Sequence, residues 1–313
     1  MKLFISTCGI LLTWLAAGVV NAQSGDQETG AAGLTVRVAA ISFVPTKLDL
    51  EGNAQRLERA FRSAAEGGAE ISVGPEGALD GYVVNEIIAG EMPADRMREV
   101  AIGLDHPVIE RFRQVARELD MCLAFGFAER IKEDVYNCAV FIDGSGAIRG
   151  KYHKMQFDEG YDPSWWYNRL GKTSRAFDTP YGRCGFLICN DRWNAALARI
   201  PVLDGAQFLL IPAMGSRSES QDAAVLSRSQ ENRVPIVEAN VGVTLIADGT
   251  QIIALDRKEE GITFGEITIS PPARADAAKR DEAEEQFLIW RKTEMQTRLL
   301  RRLERLKGKS DQP

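Results

Sequence analysis

Residues Asn137–Tyr152, NCAVFIDGSGAIRGKY, read as a β-hairpin. Asn137–Ile142 is a short apolar run of strand character. Asp143-Gly144-Ser145-Gly146 is a turn-forming cluster, and Ala147–Tyr152 pairs back. A hairpin at this point breaks a pattern that otherwise alternates strands and helices, so the sheets must be mixed rather than all parallel. Upstream, Thr35–Ser42 and Glu70–Val73 read as buried strands flanking a helix over Asn53–Ala65, and a helix over Val108–Leu119 precedes a strand over Met121–Phe127. Downstream, strands are expected at Gly185–Cys189, Gln207–Ile211, Pro235–Asn240, Val243–Ala247, Gln251–Leu255 and Gly261–Ile269, with helices near Ala195–Leu203 and Ala223–Arg233. The reading is a β-rich α/β domain over 34–272. Asp281–Lys307 differs in kind: Leu288, Met295, Leu299, Leu303 and Leu306 recur at near-heptad spacing, with acids leading and bases trailing. It is expected to be a helical extension over 273–313 that docks or contacts another subunit. A membrane-surface helix is the alternative.

The composition narrows the function. The chain has 313 residues, 45% hydrophobic and 26% charged, which are globular values. A net charge of −6 argues against a nucleic-acid partner. Two His, His106 and His153, leave little room for a His-based metal site, and the five Cys match no zinc spacing. Residues 1–22 read as a signal peptide: Lys2, an apolar run from Leu3 to Val20, and small residues around a cut after Ala22. Residues 23–33 then form a flexible leader, and the protein is exported to a periplasm or beyond, with no membrane span after cleavage. An uncleaved anchor is the alternative. Of the thiols, Cys122, Cys138, Cys184 and Cys189 remain after cleavage.

Three segments place a reactive side chain at the end of an apolar strand. Glu76 lies in ISVGPEGALDGY, Lys154 in GKYHKMQF and Cys189 in GFLICNDRW. Singly each has an ordinary structural explanation. Together they form a chemical set, since a carboxylate and an ammonium can supply a thiolate, and the ammonium can neutralise an oxyanion. The backbone N–H of Asn190 could add a second donor.

These segments, in this order, resemble the nitrilase superfamily of carbon–nitrogen hydrolases. PEGALDGY, with Gly81-Tyr82, is similar to the family's Glu segment, YNCAVFIDGSG to the hairpin before its Lys, and ICNDRW to its Cys elbow, with Asp191 and a shifted Arg192. RSQENRVPIVEAN resembles a later segment through Arg228, Glu231, Asn232 and Asn240. The resemblance implies a four-layer αββα sandwich, homodimers or larger homo-oligomers, and no metal or organic cofactor. It makes Glu76 the general base, Cys189 the nucleophile and Lys154 the oxyanion stabiliser. It puts Glu129, in GFAER, where a second Glu positions substrate and Lys, a residue that either holds the substrate or is structural, since a buried charge needs a partner either way. Trp193 stands where many members differ and alters the pocket wall. The aromatic stretch with Trp165, Trp166 and Tyr167 is either a tucked surface loop or a substrate-selecting lid.

Within the superfamily, Cys-Asn-Asp-Arg resembles N-carbamoyl-amino-acid hydrolases more than nitrilases proper. The expectation is an exported amidase or carbamoylase that releases ammonia from a small amide or ureido compound. The rivals are an acyl transferase or a non-catalytic binding protein on the same fold, and a Cys-pair oxidoreductase is disfavoured because Cys184 and Cys189 are not Cys-x-x-Cys.

Overall fold

The computed structural model describes residues 33–310. The signal peptide at 1–22 and all but the last residue of the leader read at 23–33 lie outside these residues.

Strand β1 (Leu34–Ser42) shows how the layers arise. Its side chains alternate in direction, so Val36, Val38 and Ala40 enter one apolar core while Ala39 and Ile41 enter another. A strand apolar on both faces has to be covered on both faces. The first face meets a second sheet, and the second meets helices α1 (Leu50–Glu66) and α3 (Pro107–Leu119). Phe61 of α1 and Phe112 of α3 pack edge to face at 5.9 Å beneath Phe125.

The first sheet has six strands in the order β12-β1-β2-β3-β4-β5. They are β2 (Ile71–Val73), β3 (Cys122–Ile131), β4 (Asp134–Ile142), β5 (Ile148–His153) and β12 (Gly261–Ile269) beside β1. β1, β2 and β3 run parallel, while β3, β4 and β5 form antiparallel hairpins and β12 pairs antiparallel with β1. The second sheet is six-stranded in the order β11-β10-β9-β8-β7-β6. It comprises β6 (Phe177–Thr179), β7 (Gly182–Phe186), β8 (Phe208–Ala213), β9 (Ile236–Asn240), β10 (Val243–Asp248) and β11 (Gln251–Asp256), with β7, β8 and β9 parallel. Helices α4 (Ala195–Leu203) and α5 (Glu219–Asn232) cover its outer face. The result is the expected αββα sandwich of mixed sheets.

Some expectations shift. The strand expected to run to Cys189 stops at Phe186, and Cys189 instead opens a tight 3-10 turn over Cys189–Trp193. Short α2 (Val84–Ile88) follows the Glu76 segment. The expected C-terminal helix is α6 (Ala277–Ser310), which docks within its own chain against α4. It buries Phe287, Met295 and Leu299 and leaves Ile289, Trp290 and Leu300 outward. No helix among the described residues is long and apolar enough to cross a membrane.

Candidate active site

The parallel strands of both sheets deliver their C-terminal ends to one end of the sandwich, the usual place for a site in α/β folds. Glu76 follows β2, Lys154 follows β5, Cys189 follows β7, and Met214 follows β8. The structure therefore brings the three reactive residues together from distant points of the chain.

Lys154 Nζ donates to Glu76 Oε1 at 2.7 Å, with both side chains almost wholly buried. Asn137 Nδ2 donates to the same oxygen at 2.6 Å, and the Met214 N–H donates to Glu76 Oε2 at 3.0 Å. Three donors thus fix both carboxylate oxygens. Gly126 on β3 is what lets the Glu76 backbone come this close, because a Cβ there would sit 2.6 Å from Glu76 Cα. The Lys154 ammonium lies 5.5 Å from the centre of the Tyr82 ring. Burial alone would lower its pKa, but the negative charge of Glu76 beside it holds it above its ordinary value.

Cys189 has φ of 45°, a left-handed conformation that costs a non-glycine residue energy and presents its side chain from a sharp turn. Asp191 braces that turn. Its Oδ2 accepts from the Ile188 N–H at 3.0 Å and from the Tyr152 hydroxyl at 2.9 Å, and its Oδ1 accepts from the Gln156 N–H at 2.9 Å. Arg192 is buried against Glu238, which also receives a hydrogen bond from Gln221. Burial pushes the Cys189 thiol up to about 12, with the Glu76 charge adding to the rise and Lys154 opposing it. The site does not lower this thiol, contrary to what the residue types alone suggest. A thiol raised in this way calls for a base to take its proton, and the Glu76 carboxylate is the base in the same site.

Beside these groups lies a cavity of about 220 Å³, lined by Tyr82, Lys154, Glu159, Cys189, Asn190, Arg192, Trp193 and Met214 among others. Asn190 and Trp193 line this cavity, beside Cys189. Glu129 does not. It pairs with Lys151 at 2.6 Å and with His153, not with Lys154. It shares β3's outer-facing parity with Phe125 and Phe127, whereas Lys154 lies past the strand end. The buried carboxylate that lines the cavity is Glu159, held by the Tyr82 hydroxyl at 2.8 Å and Asn168 Nδ2 at 3.1 Å. Burial raises its pKa. Its only sequence signal was its position in the polar stretch after Lys154.

Trp165 and Trp166 do not line the cavity. They pack behind Tyr82 with Val83, Val84 and Met97, and the Arg98 guanidinium lies 4.1 Å over the Trp166 ring. The aromatic stretch is tucked in, not a lid. In the later segment, Asn240 holds the Gly215 N–H at 3.0 Å beside the cavity, while Arg228 and Glu231 pair on the surface of α5. All four described cysteines are free.

A four-layer αββα sandwich with such a pocket at its strand ends is the build of the nitrilase superfamily. Residues 37–273 match the model of the carbon-nitrogen hydrolase family, and the chain belongs to that family as a hydrolase of carbon–nitrogen bonds. It is 30% identical over 273 residues to an N-carbamoylputrescine amidase of Oryza sativa subsp. japonica, covering 83% of this chain and 86% of that one. It is 27% identical over 221 residues to a citrullinase of Francisella tularensis subsp. tularensis, covering 67% and 74% respectively. The fold matches that of an amidase from Nesterenkonia sp. with a TM-score of 0.64 at 20% identity, over 77% of this chain and 94% of that one.

Proposed function

We propose that this hydrolase cleaves a small N-carbamoyl compound or amide through a Cys189 thioester, releasing ammonia. The supporting observation is the buried Glu76–Lys154 pair at 2.7 Å beside Cys189 in one cavity. Cys189 Sγ attacks the carbonyl carbon while its proton passes to Glu76. The oxyanion that forms faces the Lys154 ammonium and the Asn190 backbone N–H. Collapse breaks the C–N bond, and Glu76 returns the proton to the leaving ammonia. Glu76 then takes a proton from water, which attacks the thioester, and the thiol leaves reprotonated. The relatives named as N-carbamoylputrescine amidase and citrullinase favour a ureido substrate over a nitrile.

The proposal includes export, resting on Lys2, the Leu3–Val20 run and the small residues before Gln23, and a homodimer or larger assembly. The test is ammonia release by the purified protein from aliphatic amides, ureido acids and nitriles, with Cys189→Ala beside it. Release from ureas or amides that vanishes in the variant supports the reading. Silence from a folded protein would move the assignment to acyl transfer or binding.

A further inference from the structure

Helix α6 begins after the last residue that matches the family model, at 273. Yet it reaches the cavity that holds Cys189. Arg302 lines that cavity beside Asn85, Asp158 and Glu159. Its Nη2 donates to Asn85 Oδ1 at 3.0 Å, while its Nε is buried with no hydrogen-bond partner. Among the described residues, no carboxylate lies within ion-pair range of this guanidinium. The other cations of the cavity are matched, Lys154 by Glu76 and Arg192 by Glu238. A part-buried guanidinium on the cavity wall, with no carboxylate partner and only a neutral amide as acceptor, is an incomplete anion site.

The helix is also fixed where this matters. Arg291 Nη1 donates to the carbonyls of Gly171 at 2.6 Å and Met155 at 3.2 Å, and the Tyr161 N–H donates to the Met295 carbonyl at 3.1 Å. These contacts tie α6 to both ends of the loop that carries Glu159. Arg302 is therefore held at a set position relative to Cys189.

We infer that Arg302 is a specificity-determining residue that receives a carboxylate on the substrate, so that the C-terminal extension selects ureido acids. The inference rests on the hydrolase reading above. A planar guanidinium matches a carboxylate's two oxygens better than it does a neutral or cationic tail. The acids of the cavity offer a cation little in return. Glu159 already accepts from Tyr82 and Asn168, and the Asp158 side chain is 77% exposed and faces Arg298 at 3.9 Å.

The test uses three ureas of similar length: N-carbamoyl-4-aminobutyrate, N-butylurea and N-carbamoylputrescine. The wild-type kcat/KM should fall in that order. Arg302→Gln should raise KM for the acid about ten- to hundredfold, leaving kcat and the neutral urea within about twofold. Arg302→Glu should reverse the order of the two charged ureas. Arg305→Gln, an exposed change on the same helix, should alter none of these. Calorimetric binding of the three ureas to Cys189→Ala reads the same order without turnover. Cys189-dependent turnover with no preference for the acid, or a preference that survives Arg302→Gln, overturns the inference and leaves the hydrolase standing. Absence of Cys189-dependent turnover on every urea and amide overturns the hydrolase reading itself, and this inference with it.

Discussion

Lys154 and Glu76 lie 78 residues apart in the chain, yet meet at 2.7 Å with 2% and 0% of their side chains exposed. Removing one partner of a buried pair strands the other charge. Lys154→Met should therefore cost about 3–5 kcal/mol of folding free energy and abolish turnover. Glu76→Gln keeps the volume and should cost less stability, while lowering kcat about 10²–10⁴-fold as the base is lost. Urea denaturation and kcat on the two variants check this. Unchanged stability in Lys154→Met would show that the pair is not buried as described.

The Cys189 thiol, raised to about 12, gives an opposite pH signature to that of a preformed thiolate. Alkylation by iodoacetamide should climb about tenfold per pH unit from 7 to 10 without levelling. Cys138 and Cys184, with no exposed surface, should label only on unfolding. Peptide mapping after timed labelling reads each site. A plateau below pH 8 would mean that the thiolate exists before substrate binds, and Glu76 would not be needed to form it.

Glu159 lines the cavity beside Cys189, and Glu129 pairs outside it with Lys151 and His153. Glu159→Gln should lower kcat about a hundredfold, since it removes a buried charge beside the Lys154 ammonium. Glu129→Gln should leave kcat within about twofold, because its partners Lys151 and His153 lie outside the cavity. Its effect should appear in stability instead. Burial opposes the ionised form of Glu129, but its bonds to His153 and Lys151 carry the pKa below its ordinary value of 4.5. That stabilisation is present above pH 4.5 and is lost as pH falls through the lower, folded value. The stability gap between wild type and Glu129→Gln should thus narrow below pH 4.5. A large kcat loss in Glu129→Gln would restore it to the site.

The sandwich was legible because its strands carry their own pattern. The β4–β5 hairpin, the two-sided apolar run of β1 and the α4 bounds at Ala195 and Leu203 all follow from local chemistry. β6 escaped notice because three residues with one large apolar side chain make no period. The three reactive residues stood out because each ends an apolar run with a polar group. Glu159 did not, since it sits in irregular chain whose direction is set by Tyr82, Asn168 and α6 rather than by its neighbours. For Glu129 the sequence did hold the answer: its parity with Phe125 and Phe127 already put it on the helix-covered face of the sheet.

Gly160 is where the extension grips the loop that carries Glu159. Its φ is +82°, and a Cβ there would lie 2.1 Å from the Leu299 nitrogen and 2.6 Å from its Cα. Those atoms are helix backbone, which cannot rotate aside as a side chain can. Gly160→Ala therefore combines a left-handed cost of about 1–2 kcal/mol with displacement of α6 or of the loop. Glu159 is the next residue back, so the displacement should reach the cavity. The expected result is a stability loss of about 2–4 kcal/mol together with a fall in kcat/KM. Gly249→Ala is the control, at φ +59° with nothing within 4 Å, and should carry the backbone cost alone with unchanged activity. Equal effects from the two alanines would mean that α6 does not hold the Glu159 loop, and that Arg302 is not fixed over the site.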